Sequence, residues 1–273
     1  MLSVIIPASN EEGYIGTCLT ALFASNPVPR GAEAIVVANG CRDGTAAMAR
    51  GLQPLAEAAG WGLMVIERAI GGKPGALNEG DLAAKGDLRA YLDADVVVSR
   101  GLMAALAMAL AGQSPRYATG TAQIPPAHSV ITRAYAGFWQ RLPFACSNAP
   151  GFGLFAVNAT GRTRWGDFPS IISDDTFVRL QFLPSERVQV ADRYDWPMIE
   201  GFAALTRVRR RQNAGVAEID RLYPGLLDRE AKAPLSILGL AGMALRDPVG
   251  FATYSAVSLA VNFGRTKGWT RGR

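Results

Sequence analysis

Short apolar runs alternate with helical patterns through roughly the first 110 residues, and any fold for this chain must satisfy that alternation. LSVIIP (2–7), AIVVA (34–38), LMVIE (63–67) and LRAYL (88–92) are almost continuously apolar and rich in β-branched residues, the pattern of strands buried on both faces. A helical segment follows each run. The first carries Tyr14, Ile15, Leu19, Leu22 and Phe23, with capping chemistry in Ser9-Asn10-Glu11-Glu12. The second is alanine-rich and reaches about Ala59, the third follows GGKPGALNEG (71–80), and the fourth runs from about Gly101 to Leu110. Strand and helix in this order predict a mostly parallel sheet with helices on both faces. Such sheets bind ligands beyond the carboxyl ends of their strands. Every polar cluster of this region stands at such an end: Ser9 to Glu12, Asn39 to Asp43, Gly71 to Lys73, and Asp93 with Asp95. They are predicted to share one crevice.

Beyond residue 115 the rhythm breaks. YATGTAQI (117–124) and GFGLFAV (151–157) are further strand candidates, and Tyr135, Phe138 and Trp139 form an aromatic segment between them. Near the end, PLSILGLAGMAL (234–245) and VGFATYSAVSLAVNF (249–263) are separated by Arg246-Asp247-Pro248. Neither reaches the roughly 18 to 20 apolar residues that a bilayer span needs. Two readings stay open for this region. It is a pair of interfacial helices on a membrane surface, slightly favoured by the basic residues that follow, or a helical hairpin packed on protein.

With 49% hydrophobic residues in 273, the chain can bury a substantial core. Its net charge of +5 is mild and local, gathered at Arg207, Arg209, Arg210 and Arg211 and at Arg265, Lys267, Arg271 and Arg273. Small anions fit that distribution and long nucleic acid does not. Cys18, Cys41 and Cys146 lack metal-ligand spacing, and an odd count with no secretory leader points to a reducing, cytoplasmic setting.

Asp93 and Asp95, at i and i+2 in an extended segment, would point to one side and act on one ligand. Hard oxygen donors of this kind suit Mg²⁺ or Mn²⁺, completed by phosphates and water. The bland alternative is a solvated strand end. Gly71-Gly72-Lys73-Pro74-Gly75 permits close backbone approach, places a cationic side chain, and opens a helix suited to phosphate; a plain glycine turn explains it equally well. The chain has neither GxxxxGK[ST] nor a GxGxxG after its first strand, which removes the P-loop and the usual dinucleotide fingerprint. Ser173-Asp174-Asp175 supplies either an N-cap with acids in the first turn or a general base. His128 lies among Pro125, Pro126 and Ala127 and is read as a loop residue without a catalytic role. Trp139, Trp165 and Phe168 stack on an acceptor sugar or belong to the core.

In this order the motifs resemble inverting, non-processive family 2 glycosyltransferases of the GT-A fold, over about residues 1–215. PASNEE (7–12) resembles the family's PxYNEE, ANGCRDGT (38–45) its DDGSxDGT, GGKPGALNEG its GKxxALNxG, and LDADV (92–96) its DxD. SDD (173–175) stands where the family has ED or DD, and RVRRRQNAG (207–215) resembles its QxxRW region. The resemblance implies a GT-A catalytic domain over residues 1–215 and a C-terminal helical region, possible membrane contact included, over 216–273. It places a nucleotide-sugar donor near Pro7, Ser9, Glu11, Asn39, Lys73, Asp93 and Arg210, with UDP as the leading nucleotide and GDP or dTDP as alternatives. It also implies Mn²⁺ or Mg²⁺ on Asp95 and Asp93, and catalytic acids at Asp175, the base, and Asp174. The acceptor would be a saccharide or lipid-linked saccharide, as in polysaccharide biosynthesis, handled in the cytoplasm or on the cytoplasmic face of a membrane.

Three positions depart from the family pattern. Ala38-Asn39 replaces the acidic pair of the second strand end, Ser9 the tyrosine of PxYNEE, and Asn213 the tryptophan of QxxRW. Two other functions stay open at this point: a nucleotidyltransferase that forms sugar nucleotides, although PASNEEG is acidic where such enzymes carry a basic glycine loop, and a non-catalytic nucleotide-sugar-binding module.

Overall fold

The computed structural model describes residues 1–146, 149–231 and 235–263. They form two compact units. The first comprises Met1–Gln123, Gly151–Ser170 and Asp174–Trp196, and the second the remaining segments. The four leading runs are strands β1 (Leu2–Ala8), β2 (Ala32–Asn39), β3 (Trp61–Arg68) and β4 (Leu88–Leu92). They pair in parallel in the order β3-β2-β1-β4. Every residue of β2 and all of β1 but Pro7 is buried, so their mostly apolar character reflects cover on both faces, and the buried Ser3 Oγ donates to the buried Glu33 Oε1 at 2.6 Å. The helices between them are α1 (Glu12–Phe23), α2 (Thr45–Gly51), α3 (Gln53–Ala58) and α4 (Lys73–Ala83), with α5 (Leu102–Ala109) following β4 and the short β5 (Val97–Val98). The helix anticipated up to Ala59 is two helices, because Pro54 enters at the first turn of α3 and cannot continue α2.

The sheet continues beyond β4 in the order β7-β6-β8-β5. Here β6 is Tyr117–Gln123, β7 is Leu154–Val157 and β8 is Arg187–Asp195. The β4–β7, β7–β6 and β8–β5 pairs are antiparallel, whereas β6 and β8 are parallel with a register shift between Thr119 and Thr121. Two short helices complete this unit, α7 (Ala159–Arg162) and α8 (Asp174–Leu180). Trp165 and Phe168 are buried here, edge to face, and so belong to the core.

The second unit contains α6 (Val130–Trp139), α9 (Phe202–Leu222), α10 (Ile237–Arg246) and α11 (Pro248–Phe263). Tyr135 of α6, Leu205 of α9, and Val257 and Val261 of α11 form its buried cluster. A boundary at residue 215 would cut the unbroken α9 in two. Among the described residues, no helix is long and apolar enough to cross a membrane.

Candidate functional site

The first two polar clusters lock each other. Asn10 takes a left-handed φ of 60° and accepts the Arg42 backbone N–H through its side chain at 2.8 Å. The Glu11 backbone N–H donates to Thr45 Oγ1 at 2.8 Å, and Glu12 Oε2 accepts the Gly44 N–H at 3.0 Å. The N-cap residue Glu11 makes no side-chain cap on α1, contrary to the expectation from Ser9 to Glu12; the Glu12 N–H donates instead to Asp43 Oδ2 at 3.2 Å. Ser9 stands half-buried just past the end of β1.

Asn39 sits at the buried end of β2. Its Nδ2 donates to the carbonyls of Ala8 (2.9 Å) and Val37 (3.2 Å), while Oδ1 accepts the Gly72 N–H at 2.9 Å. Gly40, at φ 58°, lies so close to Gly71 that an added Cβ would fall 2.7 Å from its Cα. The Asn39 amide, expected near the donor, is therefore spent on the backbone and stitches β1 and β2 to the glycine loop before α4. Only an amide can serve all three partners, because a carboxylate has no proton for the two carbonyls.

That loop delivers Lys73 to the remaining acids. Its Nζ lies 2.9 Å from Asp93 Oδ1 and 3.2 Å from Asp174 Oδ2. Asp93 directly follows β4, and Asp174 opens α8 about a hundred residues after Lys73. With Pro7, Gly151, Gly153, Phe155 and Asp175 they line one narrow cleft with about 230 Å³ of empty space, open solvent included. Asp175 and Asp93 therefore face the same opening. Burial works to lower the Lys73 pKa, but Asp174, Asp93 and Asp175 outweigh it and hold the ammonium charged. Burial pushes the Asp174 carboxyl up to about 6; Lys73 opposes that rise, while Asp175 and Asp93 add to it. Asp174 Oδ2 is buried and has no well-formed hydrogen bond. Asp175 is half-buried, and its Oδ1 accepts the Thr176 N–H at 2.6 Å.

Asp93 to Val96 form a turn, closed by the Val96 N–H on the Asp93 carbonyl at 3.1 Å. The two carboxylates are thus displayed by a turn rather than by the extended strand expected from their spacing. Asp95 is half-buried and lies outside the cleft lining. Its charge, followed by those of Asp93 and Glu11, adds to burial in raising the pKa of the Cys18 thiol. Glu11, Asp93 and Asp95 therefore act on one neighbourhood behind α1. Among the described residues, no three His, Cys, Asp or Glu side chains form a cage for a metal ion. Hard oxygen donors at Asp93 and Asp95 fit a divalent cation whose other ligands come from phosphate and water.

GFGLFAV carried a signal that its reading as a strand passed over. Gly151 and Gly153 take φ of 72° and 67°, both line the cleft, and the Gly153 carbonyl accepts the Asp93 N–H at 2.8 Å. A side chain at residue 153 would meet Trp196 and Val96 within 3 Å, so glycine keeps the floor of the cleft flat.

Arg210 belongs to the second unit. Its guanidinium donates to the carbonyls of Ala260 and Val261 near the end of α11, where the negative end of a helix dipole suits a cation. Arg209 bonds Tyr135 Oη at 2.8 Å and Tyr254 Oη at 3.2 Å. Arg210, expected near the donor, and its neighbour Arg209 are both occupied within their own unit. His128 is exposed, and its backbone N–H donates to Glu200 Oε1 at 2.8 Å.

The family model described as Glycosyl transferase family 2 matches residues 3–144. No curated protein matches the chain in sequence. Among solved structures, a mannosyltransferase from Pyrobaculum calidifontis, in complex with GDP-Man and Mn²⁺, is 21% identical, with a TM-score of 0.60 over 97% of this chain and 76% of its own. S. aureus TarS 1-349, in complex with UDP-GlcNAc, is 15% identical, with a TM-score of 0.57 over 95% of this chain and 81% of its own. M. tuberculosis glucosyl-3-phosphoglycerate synthase is 19% identical, with a TM-score of 0.53 over 86% and 82%. At these identities the likeness concerns the fold, which is the GT-A fold that the motifs implied.

Proposed function

This chain belongs to glycosyl transferase family 2, and from that premise we propose that its cleft transfers a sugar from a nucleoside-diphosphate donor to an acceptor hydroxyl, inverting the anomeric carbon. The observation that carries this reading is the meeting of Lys73, Asp93, Asp174 and Asp175 at the ends of β4 and α8.

The roles follow from exposure and charge. Asp175 is open enough to meet an incoming alcohol and takes its proton as the oxygen attacks, while the bond from the anomeric carbon to the diphosphate breaks. Asp174, only 4% exposed, cannot reach an acceptor; it holds Lys73 at the mouth of the cleft as a positioning residue. Lys73 presents a fixed positive charge to the donor's phosphates. Pro7 and the turn at Asp93 border the path of the donor, with Ser9 and Glu11 at the neighbouring strand end. Asp95 and Asp93 would hold Mn²⁺ or Mg²⁺, which when bound supplies positive charge for the departing diphosphate. The mannosyltransferase and M. tuberculosis glucosyl-3-phosphoglycerate synthase have both been solved with Mn²⁺. With Ala38 in place of an acid and the Asn39 amide turned inward, a uracil has no carboxylate at this strand end, so UDP, GDP and dTDP donors are tested on equal terms. The acceptor is a saccharide or lipid-linked saccharide, met in the cytoplasm or at the cytoplasmic face of a membrane.

Incubation with a panel of sugar nucleotides and Mn²⁺ is expected to release nucleoside diphosphate, not pyrophosphate. Asp175→Asn is expected to lower turnover by about 10²–10⁴-fold with donor affinity kept by calorimetry. Full turnover in that variant would remove Asp175 from the reaction.

A further inference from the structure

The last two helices turn apolar side chains to solvent. On α10, Ile237, Leu238 and Leu245 are 87%, 85% and 85% exposed, and on α11, Val249, Leu259 and Phe263 are 66%, 56% and 84% exposed. These are not scattered positions. Residues 237, 238 and 245 fall on one stripe of α10, and residues 249, 259 and 263 fall on one stripe of α11. The opposite side of α11 is the packed one, where Tyr254 stacks on Tyr135 and Val257 and Val261 are buried. α11 therefore has two apolar faces, one covered and one bare, whereas a helix at a water-facing surface turns a polar face outward.

Charge selects the occupant. From Ser236 to Arg273 the sequence contains a single acid, Asp247, and Arg141 holds it in an ion pair. Arg246 is exposed at the junction of the two helices. Arg265, Lys267, Arg271 and Arg273 follow in the sequence, outside the described residues. Two copies of this chain meeting here would bring two cationic, acid-poor segments together. An anionic surface with an apolar interior takes both the side chains and the charge. The helices, about 15 Å and 24 Å long, are too short to cross the ~30 Å core of a bilayer and suit an orientation in its plane.

We propose that this face docks on an anionic lipid bilayer, with Ile237, Leu238, Leu245 and Phe263 entering the acyl boundary and Arg246 at the headgroups. This specifies the membrane-face part of the proposed function. The test is co-sedimentation of the full chain with vesicles of mixed phosphatidylglycerol and phosphatidylcholine, and with vesicles of phosphatidylcholine alone. The chain is expected to bind the anionic vesicles, to bind the neutral ones weakly, and to be released by salt. The double variant Ile237→Glu/Leu238→Glu is expected to bind about tenfold less or weaker, because membrane affinity scales with buried apolar area. Leu245→Glu gives a second reading if the double variant does not fold. Absence of binding to anionic vesicles, or unaltered binding in a folded variant, overturns the proposal. So does a wild-type dimer in sedimentation that the variants dissolve while no form binds vesicles, since the occupant is then a second copy. Asp175→Asn separates this from catalysis: it is expected to bind vesicles like wild type, and wild-type transfer without vesicle binding would sink the surface alone.

Discussion

Helix α4 carries a charge at each end that opposes its dipole, and the two ends have been treated differently. Lys73 stands at the positive N-terminus and Asp81 in the last turn, about 12 Å further along the axis. Each needs opposite charge nearby. Asp81 receives more than enough: Arg89 Nε lies 3.0 Å from Oδ1, Arg162 Nε 2.7 Å from Oδ2, and Tyr91 Oη 2.9 Å from Oδ1. Its side chain is 8% exposed, and the two arginines are 20% and 19% exposed. Lys73 is instead outnumbered by acids, remains 35% exposed, and borders a cleft. The closed, fully bonded cluster lies toward the amino ends of the parallel strands, where α4 finishes. The open one, with acid in excess, lies at their carboxyl ends, where such sheets bind ligands. Stability and function therefore occupy opposite ends of one helix, separated by how completely the charges are satisfied.

Substitution at each end should break the symmetry in opposite ways. The largest effect on folding is expected at the closed end: Asp81→Asn leaves two half-buried guanidiniums without their carboxylate and should cost up to about 3–5 kcal/mol, the range for a buried pair. Chemical denaturation reads that loss, while turnover per folded molecule should fall far less. A stable Asp81→Asn variant would mean that water reaches both arginines. At the open end, Lys73→Met should alter the unfolding midpoint of the ligand-free protein much less near pH 5, because Asp93 and Asp175 are partly exposed and the buried Asp174, already raised to about 6, can take up a proton. Donor affinity should fall by about tenfold or more, about 1.4 kcal/mol, and the thermal shift on adding donor should shrink accordingly. Equal donor-induced shifts in wild type and Lys73→Met would detach the lysine from the phosphates.

The two ends also differ in how far they could be read from the residues. The strands β1, β2 and β4 announced themselves, because burial on both faces favours nearly continuous apolar runs; the edge strand β3 shares that pattern although only its Trp61 is buried. β8 did not: RVQVADRYD alternates buried and open positions and carries four charged side chains, so its place between β6 and β5 depends on distant pairing. Acids and glycines at strand ends were legible as clusters. Their partners were not, since Lys73 meets Asp174 only through the course of the intervening hundred residues. The Asn39 amide and the Arg210 guanidinium illustrate the same limit. Residue type suggested ligand contact, whereas local geometry gave each a set of backbone carbonyls. Among the described residues, spacing alone did not separate the closed cluster at Asp81 from the open one at Lys73; exposure did.

A smaller effect tests whether the open end is as unbalanced as its geometry indicates. Burial raises Asp174 above the ordinary carboxyl value, to about 6, despite Lys73. In the unfolded chain the group titrates near its usual value of about 4. The folded state thus binds this proton more tightly. Stabilisation from it is complete below about pH 4 and is lost as pH rises through about 6. Lys73 is protonated in both states throughout that interval and adds no slope. Thermal unfolding midpoints of ligand-free wild type across pH 4 to 7 should therefore carry a downward component that Asp174→Asn lacks. Superimposable profiles for the two proteins would show that the lysine fully neutralises Asp174, making the open end as balanced as the closed one.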